Sequence, residues 1–67
     1  MLKTKFFTKF CAWNNPVETC NELIIQKETF INSNKNKIGN IDSEDLKVES
    51  TGNNHAICIL KISYYEK

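Results

Sequence analysis

Three cysteines and one histidine, Cys11, Cys20, Cys58 and His55, are the residues of this chain best suited to hold a soft metal ion. Thiolates and imidazoles are the usual ligands of zinc, and structural sites set them in pairs two to four residues apart. Cys11 and Cys20 stand nine apart, and His55 and Cys58 lie three apart on an expected strand, where their side chains leave opposite faces. The spacing predicts no metal. The cysteines read instead as ordinary thiols, two of them buried.

Catalysis has as little to work with. A nucleophile needs a base held beside it, and the only histidine adjoins a turn-forming segment. Two glycines cannot build a phosphate-cradling loop. Asp42, Glu44 and Asp45 could form a carboxylate pair, but neighbouring acids ahead of a strand also serve as loop solubilisers. The expectation is a protein that is not an enzyme and uses no cofactor.

A third chemistry is stacking. Lys3, Lys5, Lys9, Lys47 and Lys61 interleave with Phe7 and Tyr65, as in platforms where aromatic rings stack on single-stranded bases and cations follow the phosphates. Against this stand a net charge of +1, the absence of arginine, and Asp45 and Glu49 on the same expected face. Lysines on strand edges also block unwanted pairing. A nucleic-acid partner is therefore not expected.

The elements that would position these residues follow from periodicity. Leu2 to Phe10 alternates, placing Leu2, Thr4, Phe6, Thr8 and Phe10 on one face and Lys3, Lys5, Phe7 and Lys9 on the other, which is a strand. After a linker from Cys11 to Asn14, Asn15-Pro16-Val17-Glu18 offers an N-cap, a proline at the first helical position and a glutamate for a capping box. Val17, Cys20, Leu23, Ile24, Phe30 and Ile31 then form one apolar helical stripe ending near Ser33. Lys27 projects near the centre of that stripe and Ile25 from its opposite side, so Lys27 must snorkel to an edge or the helix must bend.

Ser33 to Asn40 reads as a polar loop hinged at Gly39, with Ile41 anchoring its end. Leu46 to Ser50 reads as a second strand, Thr51 to Asn54 as a turn, and His55 to Tyr65 as the strongest strand. The last strand is apolar on both faces, which suits a central position. The expected architecture is one α+β domain over residues 1–67: a βαββ chain whose three-stranded antiparallel sheet runs in the order 1-3-2, with one helix packed on one face. A chain of 67 residues buries only roughly 60% of its unfolded surface, so self-association is an expected source of added core.

The three motifs Lys3-Thr4-Lys5-Phe6-Phe7, Glu28-Thr29-Phe30-Ile31-Asn32 and Ile62-Ser63-Tyr64-Tyr65-Glu66 resemble the first strand, helix and closing strand of the short Cse60-type sporulation-protein family. That resemblance spans most of the chain and implies a strand-helix-strand-strand fold, with no known reaction. The element order also resembles the dodecins, flavin-storage proteins whose stacking tryptophan lies on the strand after the helix. Here that strand, Asp45 to Ser50, has no aromatic residue and the only tryptophan, Trp13, precedes the helix, so flavin binding does not carry over.

One sheet face has no cover within the chain, and Phe7, Ile57, Ile59, Lys61 and Tyr65 are expected on it as an interaction surface. Trp13 and Ile25 join them as apolar residues where the pattern predicts exposure; Trp13 either caps the open end of the core or anchors a partner. An odd cysteine set, an alternating N-terminus and no apolar run longer than Ala56 to Leu60 predict a cytoplasmic protein with no membrane partner. Asparagine and lysine each occur nine times, the bias of an AT-rich coding sequence such as that of a low-GC bacterium or its phage. The functional expectation is a binding module that forms a homo-oligomer and sequesters a partner, such as a phage-encoded inhibitor of a host protein. The alternatives are a small-ligand sponge with sites at subunit interfaces and a single-stranded nucleic-acid binder.

Overall fold

The strand with apolar residues on both faces takes the middle of the sheet. A computed structural model describes all of residues 1–67, with β1 at Leu2–Ala12, α1 at Pro16–Ser33, β2 at Ile38–Gly52 and β3 at His55–Glu66. The sheet order is β1-β3-β2, and β3 runs antiparallel to both neighbours. This is the expected α+β architecture, with the helix on one face over β1 and β3.

The helix begins at Pro16, whose missing N–H costs nothing in the first turn. The expected capping box does not form: Asn15 makes no side-chain cap, and its backbone N–H donates to the Ala12 carbonyl at 3.1 Å. The other end is closed by Asn34, whose side-chain amide donates to the Phe30 carbonyl at 2.7 Å. Leu23 is fully buried at the centre of the interface, with Thr19 buried and Cys20, Ile24 and Phe30 half-buried. Val17, expected in the stripe, is exposed, because the inward face passes through Thr19, Leu23 and Lys27.

β2 starts eight residues before the expected position. Residues 38–45 lack an apolar pattern, yet β3 is 12 residues long and presents a second edge of amides and carbonyls that must find partners. Pairing with it draws the polar segment into the sheet, and register shifts at Ile38/Ile41 and Ile41/Ser43 absorb the mismatch. Gly39 is thus a strand residue and not a loop hinge. A Cβ there would stand 3.0 Å from the Tyr65 carbonyl oxygen. Ile38 is the buried anchor of this end, while Ile41 is exposed. The β2–β3 hairpin turns through Asn53 (φ 50°) and Asn54 (φ 64°), left-handed positions that asparagine tolerates better than most residues.

The core is small. Phe7, Leu23, Cys58, Leu60 and Ile62 form its buried cluster, with Phe30, Val48, Tyr64 and the other two cysteines at its margin.

Candidate functional site

The register of β1 on β3 decides which side chains the molecule shows to its surroundings. Phe7 lies opposite Leu60 and Cys11 opposite Ala56, so the odd-numbered face of β1 meets the helix. Phe7 is accordingly buried, at 8% exposure, and its ring meets Phe30 edge-on at 5.9 Å. The expectation that Phe7, Lys3, Lys5 and Lys9 occupy the open face is corrected on this point. β1 is an edge strand, so its long lysines leave the interface sideways and keep their ammonium groups in water. Lys9 pairs with Glu22, Lys3 approaches Glu66 at 4.0 Å, and Lys5 Nζ stands 5.6 Å from the Phe30 ring centroid.

The open face receives the other side of β1. Leu2, Phe6 and Phe10 project there beside Tyr65, Lys61 and Ile57, their cross-strand partners on β3, and Ile59 lies opposite Thr8. Phe10 is 70% and Phe6 57% exposed, Leu2 and Tyr65 are about half exposed, and Ile57 and Ile59 are half-buried. Sequence periodicity had assigned Phe6 and Phe10 inward because they share the more apolar face. Alternation carries no signal against that reading, because both faces of β1 hold apolar residues and the face that meets the helix is set by the register of β1 on β3.

The β2 side of the same face is charged and balanced. Asp45 lies opposite Lys61, Lys47 opposite Ile59, and Glu49 opposite Ile57. Lys47 Nζ is 2.9 Å from Glu49 Oε1, and the hydrogen bond and charge of Glu49 raise the Lys47 pKa above its ordinary value. Two lysines against two carboxylates leave no net positive field for phosphates to follow.

The remaining expected residues lie elsewhere. Ile25 is exposed on the helix flank, where it lines an open groove of about 490 Å³ with Lys5, Phe6, Phe7 and Phe30 along the outer edge of β1. Trp13 is 51% exposed and belongs to no core cluster. Its backbone N–H donates to the Asn54 carbonyl at 2.8 Å, and its side chain shares a second groove with Asn14, Asn53 and His55. Core capping by Trp13 is therefore not observed. Of the seven expected interaction residues, Phe7 and Ile25 flank one groove, Trp13 another, and Ile57, Ile59, Lys61 and Tyr65 share the open sheet face.

The cysteines, by contrast, converge. Cys58 Sγ lies 3.5 Å from Cys11 Sγ and 3.6 Å from Cys20 Sγ, bringing together β1, α1 and β3. Cys58 is fully buried while Cys11 and Cys20 are half-buried. Burial first, and then the sulfur contacts with Cys11 and Cys20, push the Cys58 thiol up to about 12. Sequence spacing could not reveal this cluster, because three different elements contribute one thiol each. No helix is long and apolar enough to cross a membrane. No protein-family model, curated protein or solved structure matches this chain.

Proposed function

We propose that the chain is a non-catalytic binding module that associates with a second copy of itself through its open sheet face and acts by occupying or sequestering a partner. The observation that supports this reading is the outward stripe of Leu2, Phe6, Phe10, Ile57, Ile59 and Tyr65 on β1 and β3. Contiguous exposed apolar surface of this kind marks interaction sites. The molecule measures 43 by 18 Å along its two longer axes, so an interface of the standard size, about 800 Å² per partner, would take in the charged β2 side of the face as well as the stripe. The charged β2 margin suits the polar rim of such an interface. Face-to-face pairing of two copies would add the second layer that one helix cannot supply.

Nucleic-acid binding is the less favoured reading, because Lys47 and Lys61 on this face are matched by Asp45 and Glu49. Light scattering at micromolar concentration tests the proposal. The expected mass is a multiple of 7.8 kDa, and Phe10→Glu returns it to the monomer with an unchanged circular dichroism spectrum. A wild-type protein that stays monomeric, or one that binds single-stranded oligonucleotides with a steep salt dependence, overturns it.

A further inference from the structure

β1 lies at one edge of the sheet, and its backbone alternates as strictly as its side chains. The Met1 carbonyl accepts from the Glu66 N–H at 2.9 Å and the Trp13 N–H donates to the Asn54 carbonyl at 2.8 Å, and the register between them runs without a shift. Hydrogen-bonded pairs alternate along an antiparallel ladder, so the odd-numbered residues of β1 bond to β3 while Leu2, Thr4, Phe6, Thr8 and Phe10 turn their N–H and C=O groups outward. We propose, on the reading of the chain as a binding module, that β1 takes up an extended segment of a partner protein as an added antiparallel strand, and that this segment carries an apolar residue two positions ahead of a carboxylate.

The opposite edge of the sheet is built differently. β2 shifts register at Ile38/Ile41, Ile41/Ser43 and Ser50/Gly52, and such irregularities spoil an edge for pairing. β1 keeps an unbroken ladder from Leu2 to Ala12 and contains no proline. It also has a wall beside it: Ile25, Gln26 and Thr29 of α1 line the open groove of about 490 Å³ together with Lys5, Phe6, Phe7 and Thr8. A strand added at the usual spacing of about 4.8 Å occupies that groove, and its side chain opposite Phe7 enters the part lined by Phe30 and Ile25. Ile25, 61% exposed in the free chain, thereby gains an apolar neighbour.

Charge selects the occupant. Lys3 approaches Glu66 at 4.0 Å and Lys9 pairs with Glu22, which leaves Lys5 as the lysine of β1 without a carboxylate, its ammonium 5.8 Å from the Phe7 ring centroid and 5.6 Å from that of Phe30. Side chains directly opposite one another in a ladder share a face. In an antiparallel arrangement the residue opposite Phe7 comes two before the one opposite Lys5, which sets the order apolar, then acidic, with a β-branched or aromatic residue between them beside Phe6. A second copy of β1 is a poor occupant. Centring such a pair on Lys5, Phe6 or Phe7 sets Lys5 against Lys5, Lys3 against Lys9, or Lys5 against Lys9, and like charges directly opposite are destabilising. The lysines that repel copies of the chain admit a strand bearing carboxylates.

The test is titration of the full chain with a blocked peptide of roughly nine residues, valine and threonine throughout except for a leucine two residues ahead of a glutamate, followed by amide NMR and hydrogen exchange. The expected result is saturable binding that slows exchange of the Thr4, Phe6 and Thr8 amides and shifts the Ile25 resonances, with β2 unchanged. Replacing the peptide's glutamate by lysine is expected to weaken binding roughly tenfold. Lys5→Glu is expected to weaken the glutamate peptide equally and to bind the lysine peptide better than wild type does. Thr8→Pro removes an outward N–H that β3 does not use; it is expected to keep the circular dichroism spectrum and to weaken binding by roughly tenfold or more. No binding at millimolar peptide, protection along β2 instead, or affinities blind to the charge exchange overturn the proposal. So do Thr4, Phe6 and Thr8 amides already protected by self-association of the chain alone, which would assign the edge to a second copy. Self-association through the open face is read separately, by mass, so either reading can fail without the other.

Discussion

Lys27 Nζ lies 2.6 Å from Glu44 Oε1, joining the middle of the helix to the far strand of the sheet. Glu44 stands opposite Ile62 on the helix side of β2, so the lysine at the centre of the apolar stripe reaches across the interface to the edge that α1 covers least. Lys27 is half-buried, its methylenes lying over the core while its charge is matched at the margin.

That geometry makes Lys27 replaceable. Glu44 is exposed and remains hydrated without its partner, so Lys27→Met restores an unbroken stripe and stays within about 1 kcal/mol of wild type. Glu44→Ala removes the only acceptor and costs up to about 1 kcal/mol. Urea unfolding of both variants checks the pair. A loss of several kcal/mol in Lys27→Met would show that the ion pair and not the stripe holds the helix.

Phe7 and Phe10 stand three residues apart on one strand but face opposite ways. Phe7→Ala vacates the core beside Phe30 and Leu60 and is expected to cost roughly 3 kcal/mol. Phe10→Ala alters a side chain 70% exposed and is expected to change monomer stability by less than about 0.5 kcal/mol. Denaturant curves at a concentration low enough to dissociate any oligomer distinguish them. Equal losses would reverse the assignment of the two faces of β1.

Trp13 contributes its backbone N–H to the hairpin tip, and that bond survives removal of the indole. Trp13→Ala is therefore expected to lower stability by about 1 kcal/mol or less, well short of a core truncation. If the ring anchors a partner, the same variant loses partner capture while remaining folded. A variant that unfolds easily but still captures the partner once refolded would reject Trp13 as a contact.

Alkali should loosen the protein through Cys58. Its thiol titrates near 9.0 when free and about 12 when folded, so between these values the unfolded chain has lost a proton that the native state keeps. Stability then falls as pH rises from about 9 to 12 and is fully present below that window. Cys58→Ala removes this contribution, so its stability declines less steeply over the same range. Parallel urea midpoints against pH provide the measurement; superimposable slopes would count against a buried, protonated thiol.

The sequence by itself determined the elements whose evidence is local or two-sided. Pro16 and the 3.6-residue stripe marked the helix at both ends, and the double apolar face of His55 to Tyr65 put β3 in the centre, which with the chain lengths dictated the order 1-3-2. The turn at Asn53 and Asn54 was likewise written in residue type. Tertiary structure decided everything that depended on pairing. The outward face of β1 could not be read from alternation, because apolar residues occur on both faces and the choice rests on where the helix crosses. β2 extends through a segment with no strand pattern because an unpaired edge of β3 would leave its backbone unsatisfied. Cys11, Cys20 and Cys58 meet only once β1, α1 and β3 are packed, since sequence spacing fixes periodicity along one element while sulfur–sulfur distances are set by contacts between three.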